Sequence, residues 1–314
     1  DMLDVFLKTL PFFLLIGTGY VAAATRFFSD SAAAALTRFV FYFALSSMLF
    51  RFSANLSFGE VFDLRFLGVY LWGTAFVYLI ANAVALWRAI PLEEAAVEAQ
   101  CAVIGNIGFL GIPMLALLLG EQAVGYIMMM LAVDLLIFGS LIVILITGSR
   151  DGRMSWRILN TIGRGLISNP MLVSIFLGFL WSGLGLPIPG PINEFLAILG
   201  AAATPGALFA IGASLASKSA ERVSVAGWLS FCKLVLHPAF IALGALVIWP
   251  IEPYAAAVMI ASAALPTAGN IFILAQHYAV APQRVSATIL VSTAISVVTV
   301  SLVIAWVAVA PPGP

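Results

Sequence analysis

Residues 105–113 read GNIGFLGIP. They fall within an apolar segment, 95–119, that is long enough to cross a membrane. Three glycines, an asparagine and a proline crowd into those nine positions, and each weakens a helix. In lipid, a backbone group left unpaired costs several kcal/mol. Either the segment is not a span, or the break in it serves a purpose.

Composition supports the span. With 63% hydrophobic and 9% charged residues and a mean hydropathy of +1.12, the chain lies far from soluble domains. Apolar runs of about 20 residues recur along its whole length, as helices crossing a ~30 Å hydrocarbon core require. An outer-membrane barrel would show alternating ten-residue segments, and none occurs. Formal net charge is zero, so nothing points to nucleic acid. Cys101 and Cys232 lie inside apolar runs with no metal-ligand neighbours and read as buried thiols; no metal or cofactor is expected. Lys8, an apolar run and Ala22–Ala24 imitate a signal peptide with its cleavage site.

Apolar runs between charged or Pro/Gly-rich breaks place ten spans: 5–25, 32–52, 64–87, 95–119 and 122–147, then 163–185, 192–216, 223–249, 254–277 and 284–309. The basic stretch SRDGRMSWR (149–157) separates the two sets, so the expected organisation is a first half 1–147, a linker 148–162 and a second half 163–314, all of it membrane domain. The halves look related. Pro11 and Gly19 in span one have the spacing of Pro170 and Gly178 in span six, and the same offset carries Leu49-Phe50 onto Leu208-Phe209 and Ser46 onto Pro205. Span one thus has an internal counterpart, which argues against a discarded signal. Because five is odd, the second half must enter the membrane inverted, as in many secondary transporters.

Basic residues orient the chain. Loops after odd-numbered spans hold Arg26, Arg88, Arg150, Arg153, Arg157, Arg164, Lys218, Arg222 and Arg284, whereas those after even-numbered spans hold Arg51 and Arg65. The positive-inside rule makes the linker cytoplasmic and both termini external, in a multi-pass protein of the bacterial inner membrane.

The opening stretch has a partner in span nine, ALPTAGNIFILAQ (264–276), with Pro266, Gly269 and Asn270 at its middle. Paired interruptions at corresponding places in two halves point to a transporter's binding site. Each break frees N–H groups at the start of a second half-helix, which carries partial positive charge. Two such ends meeting near the midplane favour an anion without a buried arginine. The expected substrate site is Gly105, Asn106, Ile107 and Pro113 in span four with Pro266, Thr267, Ala268, Gly269 and Asn270 in span nine. Asn106, Thr267 and Asn270 would hydrogen-bond a carboxylate, and Phe109 and Phe272 could cover an apolar body or simply pack.

These stretches resemble the auxin efflux carrier family, the bacterial relatives of plant PIN proteins, which includes proteins named as malonate transporters. Plant members carry PNTLVMGIPL in span four; Gly105–Met114 reads GNIGFLGIPM and matches at Asn106, Gly111, Ile112 and Pro113. The family's ninth span carries LPQG and then F-x-x-A-x-x-Y, met here by Leu265-Pro266 and by Phe272, Ala275 and Tyr278. The bacterial lysine before an HP pair appears as KLVLHP (233–238). The likeness runs end to end but departs in two places. LSSMLF (45–50) lacks a proline common in relatives, and the long plant loop is reduced to the linker. The resemblance implies an elevator-type fold, with spans 1, 2, 6 and 7 as scaffold and spans 3–5 and 8–10 as a moving unit, a homodimer, and carriage of organic acid anions.

Ionisable residues inside spans are functional candidates. Lys233 lies near mid-depth of span eight, where its ammonium could replace the sodium that related architectures hold behind the crossover, or pair statically with Asp134. His237, one turn on, could couple protons or fill the gap left by Pro238. Asp134 is the deep acidic residue of span five, and Asn82 in span three could complete the polar cluster. Arg38 reads as reaching the surface, and Glu93, Glu94 and Glu98 as a solvated helix start. No catalytic residues are expected: GxSxG, HExxH and paired-aspartate motifs are missing and only two histidines occur. A carrier for small carboxylates is the leading reading. The alternatives are a sodium- or proton-coupled carrier of the bile-acid symporter or antiporter type, or a transporter-like sensor.

Overall fold

Helix starts are written locally. Ser29 caps α2 (Asp30–Ala54), its hydroxyl accepting from the Ala32 N–H at 3.1 Å. Asp63 caps α3 (Leu64–Trp87) through the Arg65 N–H at 2.9 Å. Farther along, Asn169 caps α8 (Pro170–Gly183) and Glu252 caps α11 (Pro253–Ala263), each followed by a proline whose missing N–H has no helical partner to lose. These fit within a chain described in a computed structural model over residues 2–152, 156–218 and 223–308.

The remaining longer elements are α1 (Met2–Ala24), α4 (Leu92–Val103), α5 (Ile107–Leu119), α6 (Ala123–Asp151), α7 (Trp156–Ile167), α9 (Gly190–Ala216), α10 (Val223–Ile248), α12 (Asn270–Tyr278) and α13 (Pro282–Val307), and a single helical turn, Phe58–Val61, precedes α3. Seven of these helices, α1, α2, α3, α6, α9, α10 and α13, are long and apolar enough to cross a bilayer. An eighth span results if α7 and α8, bent by 70° at a short break, count as one. α5 and α11 are shorter apolar helices. Among the described residues every regular element is helical, and the one β-type contact is an isolated bridge. Arg153 and Arg222, two of the basic residues used to orient the chain, lie outside the described residues.

Among the described residues, five helical turns are wider than an α-helix, with hydrogen bonds reaching one residue farther: Val40–Ala44, Ile107–Gly111, Asp134–Phe138, Cys232–Leu236 and Leu243–Ile248. Two of them close on the residue just before a proline, Ile112 before Pro113 and His237 before Pro238. A proline ring collides with the carbonyl four residues back. Widening the preceding turn moves that carbonyl aside, so the helix continues instead of breaking.

Packing sorts the helices. α1 lies along α9 and α8 along α2, while α3, α4, α6, α10, α11 and α13 pack mainly on one another. The first set meets backbone to backbone at glycines. A Cβ on Gly19 would stand 2.0 Å from the Phe209 carbonyl oxygen, and one on Gly178 2.8 Å from that of Phe50. Helices in lipid gain little from hydrophobic burial and associate through such close approaches. Gly17, by contrast, has nothing within 4 Å. Gly19→Val is therefore expected to lower the melting temperature of the detergent-solubilised protein by ~5 °C or more. Gly17→Val should leave it in place, and equal effects would contradict the α1–α9 contact.

Candidate functional site

Two breaks leave two short non-helical connections, residues 104–106 between α4 and α5 and residues 264–269 between α11 and α12, the second open only around Pro266, Thr267 and Ala268. They cross and pair. The Asn106 N–H donates to the Pro266 carbonyl at 2.8 Å and the Ala268 N–H to the Ile104 carbonyl at 3.0 Å, forming an antiparallel bridge between Gly105 and Thr267. Thr267 ties the crossing to α4 and to α13. Its hydroxyl donates to the Cys101 carbonyl at 2.9 Å, and its N–H donates to the Ser292 hydroxyl at 3.2 Å. The threonine side chain is thus turned into the protein and occupied there, unlike the ligand-facing role expected for it.

Lys233 passes directly behind the crossing and is fully buried. Its ammonium donates to the Ala263 carbonyl, the last of α11, where a cation suits the negative end of the helix dipole. Gly105 makes room for it, since a Cβ there would stand 2.9 Å from the Lys233 Cε and 3.1 Å from Nζ. Next to this lies a second polar group. Tyr70 donates its hydroxyl to Asp134 Oδ1 at 2.6 Å, and Thr74, one turn along α3, meets His237 Nε2 at 2.9 Å. Asp134 and Lys233 each sit in a wide turn, and no ion pair joins them among the described residues. Asn82 is half-buried with its carbonyl oxygen unpartnered and does not line the cavity.

In front of the crossing opens a small cavity of about 30 Å³. Its wall contains Gly105, Asn106, Ile107, Ala268, Gly269 and Asn270 from the two breaks, together with Asp134 and Phe109. Pro113, Pro266 and Thr267 stand outside that wall, supporting the breaks from behind. The Asn106 and Asn270 side chains bond to no other protein group among the described residues, although Asn106 is only 8% exposed. The Ile107 N–H is taken by the Gly105 carbonyl at 2.9 Å and the Phe272 N–H by the Gly269 carbonyl at 3.1 Å, while the N–H groups of Gly108, Phe109 and Asn270, in the first turns of α5 and α12, have no acceptor among the described residues and lie at the same cavity. Two amides and two positive helix ends facing one space suit an anionic oxygen. Phe109 stacks on Phe41 with centroids 6.0 Å apart, whereas Phe272 packs under the Lys218 ammonium at 3.9 Å. Burial holds Lys218, in the connection after α9, at a pKa of about 8.

At the far end of α4 the glutamates depart from expectation. Glu98 is 1% exposed and accepts from Arg88 Nη1 at 2.6 Å and from Arg284 Nη1 at 2.7 Å; Arg284 also reaches Glu94 at 2.5 Å. Glu93 alone keeps an exposed pair, with Arg150 at 2.9 Å, and that arginine also donates to the Tyr278 carbonyl that ends α12. The sequence places these charges near span ends but does not show which carboxylate would be enclosed. Tyr70 and Thr74 were missed as well; their signal was two hydroxyls four apart on one face of an otherwise apolar helix.

Residues 4–304 match the family model described as membrane transport protein. The chain is also 29% identical over 295 residues to a Rhizobium meliloti (strain 1021) protein named "Putative malonate transporter", an alignment covering 93% of this chain and 92% of that one.

Two stability experiments check the geometry. If Gly105 exists to admit Lys233, the costs of Gly105→Ala and Lys233→Ala measured by thermal unfolding should couple by ~0.5 kcal/mol or more in a double-mutant cycle, and strict additivity would contradict it. Glu98→Ala leaves two arginines partly buried without their shared carboxylate and should cost ~3–5 kcal/mol. Glu93→Ala removes only an exposed pair and should cost ~1 kcal/mol or less.

Proposed function

The chain belongs to the membrane transport protein family, that of the auxin efflux carriers, and on that premise we propose that it is a secondary carrier of small organic acid anions working by alternating access at the crossing of α4–α5 and α11–α12. It is a multi-pass membrane transporter, not an enzyme. One observation carries the reading of the site: the two broken helices pair backbone to backbone and present Asn106, Asn270 and two helix N-termini to one cavity. The proposed substrate-binding set is Gly105, Asn106, Ile107, Ala268, Gly269 and Asn270, with Pro113, Pro266 and Thr267 holding the breaks in shape. Lys233, Asp134, His237 and Asn82 form the supporting polar layer. Malonate, in the name of the Rhizobium relative, is a substrate of the right chemistry.

The architecture we propose is ten spans in two inverted halves, 1–147 and 163–314, joined by the linker 148–162. Counting α4 with α5 and α11 with α12 as single broken spans, and α7–α8 as the bent start of the sixth, brings the total to ten. A reciprocal pair of contacts supports the repeat. Gly19 meets Phe209 and Gly178 meets Phe50, and one and the same offset relates Gly19 to Gly178 and Phe50 to Phe209. A twofold relation between the halves requires contacts to recur in this crossed form. The division into α1, α2, α8 and α9 as scaffold and the other long helices as moving unit follows the packing preference. The basic residues favour a cytoplasmic linker and external termini in the bacterial plasma membrane, and the family favours a homodimer.

A pair of deep carboxylates would favour a sodium-coupled carrier; among the described residues Asp134 is the deep one at the crossing, and Lys233 already occupies the helix end that a cation would neutralise. Transport is tested in proteoliposomes with malonate, malate, lactate and indole-acetate, with and without sodium. Uptake independent of sodium is expected. Asn106→Ala and Asn270→Ala should each weaken binding about 10- to 100-fold, the loss of a hydrogen bond to a charged group, in protein that remains folded. Unchanged affinity in both variants would contradict the site.

A further inference from the structure

Among the described residues that line the cavity, Asp134 is the one titratable group. Its side chain is 3% exposed. One carboxyl oxygen, Oδ1, accepts from Tyr70, while the other, Oδ2, is buried with no partner. An acidic residue in the wall of an anion site demands an account. Ionised, Asp134 has a bare oxygen in a desolvated place and repels an incoming carboxylate. Protonated, the same Oδ2 becomes an O–H donor able to bind that carboxylate.

The charged and titratable neighbours are few. α3 contributes Tyr70 and the neutral Thr74, and α10 contributes Lys233 and His237. His237 Nε2 is held by Thr74, and the Lys233 ammonium by the Ala263 carbonyl. Lys233 and Asp134 are close enough to feel each other's charge without forming an ion pair. α5, α8 and α12 bring no ionisable side chain to the cavity.

Resting on the reading of the crossing as an anion site, we propose that Asp134 takes up one proton with each substrate anion, so that the carrier is a proton–carboxylate symporter. The balance of charge explains why. Empty, the layer holds one ammonium and one carboxylate and is neutral. Loaded, it holds the ammonium, a neutral carboxylic acid and the substrate charge; for a monocarboxylate it is neutral again. Both forms can move through the low-dielectric interior without carrying net charge, which a membrane makes costly. No bond other than O–H changes: the proton comes from the water on the loading side and leaves with the anion on the other. A dianion such as malonate would carry one net negative charge with its proton.

Proton uptake on binding malonate is measured near neutral pH, where the ligand is ionised, by titration calorimetry in two buffers of different ionisation enthalpy. About one proton per malonate bound is expected for the wild type and about none per malonate bound for Asp134→Asn, each measured at malonate concentrations that saturate the protein, whatever the variant's affinity. His237→Gln should retain the uptake. An infrared difference spectrum should gain a protonated-carboxyl band on malonate addition in the wild type and not in Asp134→Asn, which separates the carboxyl from Lys233 as the proton's seat. Binding without proton uptake, or uptake that persists in Asp134→Asn, overturns the proposal while leaving the anion site intact. Malonate binding to neither the wild type nor Asp134→Asn would overturn the anion-site reading and the proton coupling with it.

Discussion

Backbone polar groups have nowhere to go in an apolar interior, and the crossing of the two broken helices answers that constraint. Breaking one helix strands donors and acceptors that lipid cannot satisfy. Breaking two, and laying the open strips antiparallel, lets Asn106 and Ala268 donate to Pro266 and Ile104 across the gap. Lys233 then occupies the Ala263 carbonyl and Thr267 the Cys101 carbonyl. Among the described residues, what remains unpaired at the cavity are the N–H groups of Gly108 and Phe109 in the first turn of α5 and of Asn270 at the start of α12, with two asparagine side chains. The polar character of the site is therefore the residue of a hydrogen-bond account settled elsewhere.

Wide turns are the second device. Asp134 and Lys233 each stand at or near the start of one, and Ile107–Gly111 is another. A wider turn offsets every later side chain around the helix axis, so it can point a charged residue into the polar layer while its neighbours continue to face lipid. Prolines 113 and 238 give a steric reason for two of these turns. The turn beginning at Asp134 has no proline after it, and it carries the carboxyl group that lines the cavity.

Much of this was legible in the sequence, for identifiable reasons. Hydropathy and length reveal membrane helices because lipid imposes both. Glycine, proline and asparagine reveal the two breaks because each weakens a helix. Both breaks fell where those residues stood, in 105–113 and 264–270. Contacts between distant segments were not legible. Glu98 looked like a solvated helix start because nothing in its own neighbourhood announces Arg284, which arrives from α13. Thr267 looked like a ligand group because its local sequence cannot reveal that Cys101 lies beneath it. The tilt of α7 against α8 was hidden for another reason: an amphipathic helix and the start of a span share the same apolar residues.

The account stands on one claim, that a carboxylate binds where α5 and α12 begin. The most direct measurement is a cryo-electron microscopy structure of the protein saturated with malonate. The account predicts density for the ligand in the cavity, with its oxygens within hydrogen-bond distance of Asn106, Asn270 and the N–H groups at the starts of α5 and α12. Malonate seated elsewhere, or a cation coordinated at that place, would contradict it.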